Sequence, residues 1–145
     1  MKKAITLILV SLVIICSGCF SSEKKEDPWT LNMGSSMGAM DQNNVNRQVY
    51  KFTINASHTG GPKPASVELN PNINENFKSR IIESSQTMSF RTLPDPGYEL
   101  KGQMIIDTAG LTKQQIVDLG PVISGVMINW TENNTPRQYY NSFVN

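Results

Sequence analysis

Few residues in this chain could do chemistry. His58 is the only histidine, and the two cysteines, Cys16 and Cys19, lie close together near the start. A single histidine with no cysteine beside it cannot build a His/Cys zinc site. A Ser-His-Asp triad would have to use His58, and no nucleophile-elbow sequence surrounds any serine. Its neighbours Gly60, Gly61 and Pro62 predict a solvated loop residue. Glu99 and Asp107 share the polar face of one expected strand. At ~3.3 Å per residue they stand roughly 26 Å apart, too far to act as a glycosidase pair. Met33, Met37 and Met40 offer three thioethers, soft donors that suit Cu(I). No histidine accompanies them, and Gly34, Ser35, Ser36 and Gly38 between them read as linker. The sequence therefore predicts no catalytic residue, no cofactor and no metal ligand set. A small-molecule or copper carrier is the alternative reading, and a hydrolase ranks below it.

The most specific spacing is Cys16-Ser17-Gly18-Cys19. Lys2 and Lys3 give a positive start, and residues 4–16 carry no charge. That run of about 13 residues fits a signal-peptide core and falls short of the ~20 that a spanning helix needs. Ser17 and Gly18 are small, as a tight peptidase pocket requires. The stretch resembles the lipobox of bacterial lipoproteins. Ser17, Gly18 and Cys19 match its last three places; Cys16, which behaves as a small hydrophobe, stands where Leu is usual. The resemblance covers the signal region alone. It implies cleavage after Gly18, a diacylglyceryl group on the Cys19 sulfur and acylation, palmitate for example, of the new N-terminus. Two or more acyl chains hold a protein stably where one holds it marginally. The address it implies is the extracytoplasmic face of the bacterial cell membrane, or the outer membrane in a host with two, since Phe20 and Ser21 lack the aspartate of inner-membrane retention. Both cysteines lie in the signal, so the mature domain is expected to hold no disulfide, even in an oxidising compartment.

Cleavage after Gly18 divides the chain into a signal peptide (1–18), a lipidated tether (19–47) and one domain (48–145). Without Lys2 and Lys3, the 13 basic and 12 acidic residues become 11 and 12, near −1. The signs are interspersed from residue 48 onward. No basic stripe forms, which argues against a nucleic-acid partner. Ser21, Ser22, Glu23, Lys24, Lys25, Glu26 and Asp27 open a polar stretch that predicts a flexible tether over 19–47. Trp29 and Leu31 are its exception, and either begin a strand or pack back on the domain.

The elements that would position a site lie in 48–145. Tyr50, Phe52, Ile54 and Ala56 alternate with Lys51, Thr53 and Asn55, the period of a half-buried strand. Val67 and Leu69 repeat the pattern. Residues 77–85 fit either helix or strand, with strand favoured by the neighbours. Met88, Phe90 and Thr92 alternate next, and Pro94-Asp95-Pro96-Gly97 is a turn. Tyr98, Leu100, Met104 and Ile106 mark the clearest strand. Thr112 and Gln115 have the spacing of a capping box, and Gly120-Pro121 ends the helix it starts. Residues 122–130 are apolar on both faces, which predicts a central strand. Trp130 is expected in the core, with one of Tyr139 and Tyr140 inside and one outside. The expected fold is an antiparallel β-sandwich, immunoglobulin-like, of six or seven strands with one short helix; a small open barrel or an α+β fold is the alternative. The functional expectation is a membrane-anchored, non-enzymatic binding or accessory module. Its partners are the lipid bilayer, through acylated Cys19, and a protein or cell-envelope component.

Overall fold

The computed structural model describes residues 28–41, 44–91 and 97–144. The signal peptide, Cys19 and most of the 94–97 turn lie outside the described residues. The elements run β1 (Trp29–Asp41), β2 (Asn44–His58), β3 (Ala65–Ile73), α1 (Glu75–Lys78), β4 (Ile81–Arg91), β5 (Gly97–Asp107), α2 (Lys113–Asp118), β6 (Ile123–Glu132) and β7 (Thr135–Ser142). One sheet has the order β1-β2-β5-β4 and the other β3-β6-β7, with every pair antiparallel. That is the strand order of a constant-type immunoglobulin sandwich.

The core lies between the sheets, and alternation puts it there. Tyr50, Phe52, Ile54 and Ala56 of β2 are all buried, as are Leu100, Met104 and Ile106 of β5 and Val67 and Leu69 of β3. β6 is the central strand of its sheet and contributes Val126, Ile128 and Trp130. No cysteine lies among the described residues. Antibody domains place a disulfide between these two strands of the sandwich; here β2 and β6 offer the fully buried Ile54 and Ile128. Each such side chain contributes about 1.5–3 kcal/mol by leaving water. Gly102 sits opposite Phe52, and a Cβ there would stand 2.3 Å from Phe52 Cζ. The missing side chain makes the space that the phenyl ring fills.

Three expectations are corrected. The tether over 19–47 does not hold from Trp29 onward: residues 29–41 are β1, paired along β2 from Trp29↔His58 to Asp41↔Asn44. Gly34, Ser36 and Gly38 hid a strand by supplying its outward positions with almost no side chain. Trp29 is buried, and Leu31, Met33 and Met37 pack against the core on the same side. The domain therefore begins before residue 48. Residues 77–85 are neither one strand nor one helix. Asn74 caps α1 by accepting from the Asn76 N–H, Phe77 is 1 % exposed beneath it, and β4 starts at Ile81. Among the described residues the expected short helix, α2, is thus joined by a second, α1. His58 is not a solvated loop residue: it ends β2 and packs against aromatic rings. Elsewhere the turns match their chemistry. Asn133 and Asn134 have φ of 49° and 61°, the left-handed pair that a two-residue hairpin needs.

Candidate functional site

The antiparallel topology divides the molecule into two poles. The chain enters at Pro28, beside the β2–β3 loop, where the Thr59 N–H donates to the Pro28 carbonyl at 2.8 Å. β4 ends and β5 begins at this same pole, and the β6–β7 turn lies there too. The β1–β2 connection, α1 and α2 lie at the other.

The entry pole is closed by rings. Trp29 meets His58 at 4.9 Å and Trp130 at 5.4 Å between centroids, both edge to face, and tilts toward Tyr98 at 6.0 Å. Phe90 stands edge-on to Tyr98 at 5.2 Å and is 52 % exposed. Burial pushes the Tyr98 hydroxyl pKa above its ordinary value. The indole nitrogens of Trp29 and Trp130 are buried with no hydrogen-bond partner. Edge-to-face packing is the arrangement in which an indole N–H meets a π face in place of an acceptor. Outside this knot, His58, Gly60, Gly61, Lys63, Pro64, Phe90, Gly97 and Tyr98 line an open hollow of about 310 Å³.

The far pole carries a groove of about 600 Å³. One wall is the end of the β1–β2 hairpin, with Met37, Ala39, Val45, Asn46 and Gln48; the other is α2 and its approach, with Leu111, Lys113, Ile116 and Val117. Val45 and Val117, one on each wall, are 66 % and 62 % exposed. Thr108 clasps the walls. It is 2 % exposed, its hydroxyl donates to the Val45 carbonyl at 3.1 Å, and its N–H donates to the Asn46 carbonyl at 2.8 Å. Gln48 Nε2 also donates to the Val45 carbonyl. The helical wall is fixed by the expected capping box: the Gln115 N–H donates to Thr112 Oγ1, and the Thr112 N–H to Gln115 Oε1. Its C-terminal end is tied to α1 by Asn74 Nδ2 and Asn76 Nδ2, both donating to the Leu119 carbonyl.

The other sequence candidates are not brought together. Met33 and Met37 face the core from one strand, about 13 Å apart at ~3.3 Å per residue. Met40 lies beyond Met37, 52 % exposed. Glu99 and Asp107 sit at opposite ends of β5. Glu99 pairs with Lys101 at 2.8 Å, and Asp107 Oδ1 accepts from the Ala109 N–H. Among the described residues, no three His, Cys, Asp or Glu side chains cluster as metal ligands, and no helix is long and apolar enough to cross a membrane. Trp130 is in the core, Tyr139 is partly buried and Tyr140 is 44 % exposed.

Sequence reasoning missed the groove. Its walls come from residues 37–48 and 111–117, made neighbours by the β2–β5 ladder, which ends at Arg47↔Asp107, and by the Thr108 clasp beyond it. The available signal was local: Val117 at a helix position with no core to face, and Val45 beside Asn44 and Asn46. No protein-family model, curated protein or solved structure matches the chain.

Proposed function

We propose that this chain is a lipid-anchored, non-enzymatic binding module on the extracytoplasmic face of a bacterial cell membrane. Cys19 carries the anchor, and the groove between the β1–β2 hairpin and α2 receives apolar side chains of a protein partner. The observation that carries the reading is the placement of this groove at the pole opposite Pro28, where the chain leads back to Cys19. A module fixed at one end and open at the other holds its binding surface away from the bilayer. The lining favours binding over reaction: it is mostly aliphatic, with two amides and one lysine at the rim.

The test has two arms. Cys19→Ala should abolish labelling by a fatty-acid analogue and the cut after Gly18; label that persists would overturn the anchor. Crosslinking from the anchored protein should capture a partner that the Val45→Glu/Val117→Lys variant no longer captures. Equal capture by both proteins would remove the groove from the reading.

A further inference from the structure

We infer that the aromatic pole rests on the lipid surface that holds the Cys19 anchor. The inference stands on the anchor reading and adds an orientation and a second contact to it.

Lengths decide the orientation. Eight residues lie between Cys19 and Pro28, nine Cα-to-Cα steps. Fully extended, they reach about 30 Å. β1 runs thirteen residues from one pole to the other, about 40 Å at ~3.3 Å per residue. A domain standing on its groove would hold Pro28 about 40 Å from the bilayer, beyond what those nine steps span. The groove pole therefore cannot be the one that sits on the membrane.

An upright and a sideways pose remain, and the surfaces separate them. The outer face of the four-stranded sheet presents Lys51 and Lys101 among Thr53, Gln103, Ser85 and Thr87, with no exposed aromatic ring among them to settle at the headgroup level. The pole at Pro28 presents Phe90, half exposed and braced edge-on by Tyr98, with Lys63 exposed across the hollow they line. Aromatic rings settle at the headgroup level, and a lysine beside them meets anionic headgroups. Bilayer is the occupant that combination fits.

The mature domain lacks a cysteine beyond the acylated Cys19, so a single introduced thiol can be labelled alone. Full chain matured in a lipoprotein-processing host is placed in vesicles of phosphatidylglycerol and phosphatidylethanolamine containing a spin-labelled lipid. An environment-sensitive fluorophore goes on Lys63→Cys, Gln103→Cys or Val117→Cys. The label at 63 should shift to the blue and lose most of its emission to the quencher, while those at 103 and 117 keep aqueous emission. In a Phe90→Asp background the label at 63 should return to aqueous emission, with flotation unchanged. A label at 63 that stays aqueous on floating vesicles overturns the docking and leaves the anchor intact. Quenching at 103 or 117, or quenching at 63 that survives Phe90→Asp, overturns it equally. Protein that does not float overturns the anchor, and the docking falls with it.

Discussion

At the pole where the chain enters, rings fill the space between the sheets. Trp29 and Trp130 are 2 % and 6 % exposed and meet edge to face. At the other pole the sheets end on two short helices and a hairpin, and the apolar side chains there stand apart. Val45 and Val117 stay in water on the two sides of a hollow beside the Thr108 clasp. The two poles put residues of similar hydrophobicity to different uses. Large rings on strand termini close a gap that aliphatic side chains on a short helix leave open.

The largest effect should come from the closed pole. Trp29→Ala removes the ring that touches His58, Tyr98 and Trp130, and should cost about 3–5 kcal/mol in urea unfolding. A loss under about 1 kcal/mol would mean that β1 is held by its ladder alone and that the rings do not differ from the groove in kind. Thr108→Val keeps the shape and removes one hydroxyl donor. It should cost about 1 kcal/mol and speed amide exchange at Asn46 and Gln48 with little change at His58. Uniform acceleration would deny that the groove opens on its own. A smaller effect lies in base. Desolvation by burial raises the Tyr50 pKa from its ordinary value of 10.0, against a lowering hydrogen bond from Ser35, and burial alone raises Tyr98. The folded state therefore holds these protons to higher pH than the unfolded one. Their contribution is complete below pH 10 and is lost as pH rises through the folded values. Stability flat through pH 11 would contradict this. Val117→Lys should change stability by no more than about 0.5 kcal/mol, because the side chain is already exposed. A larger loss would make the groove belong to the core.

Much of this was legible in the sequence, for a physical reason. Where one face of a strand is buried, its side chains alternate, and β2 and β5 could be read residue by residue. Thr112 and Gln115 announced α2 because a capping box is local. β1 failed the same test because Gly34, Ser36 and Gly38 supply outward positions with almost no side chain, so composition masked periodicity. α1 has four residues, too few to establish a helical period. His58 was misplaced because its partners, Trp29 and Trp130, come from sequence positions far on either side. The groove is of the same kind: neither wall means anything without the other.

The register of β1 on β2 carries a mechanical consequence. From Trp29↔His58 to Asp41↔Asn44 the two strands run side by side, with hydrogen bonds across them. A pull on Pro28 against Val117 at the opposite pole acts along β1, at right angles to those bonds. The rungs then bear the load together, as in a lap joint, and do not open in succession like a zip. Single-molecule pulling between a handle on Pro28→Cys and one on Val117→Cys should give one high-force peak, and a low plateau would contradict it. The strand whose composition reads as slack tether is, in this geometry, the element that bears the tension.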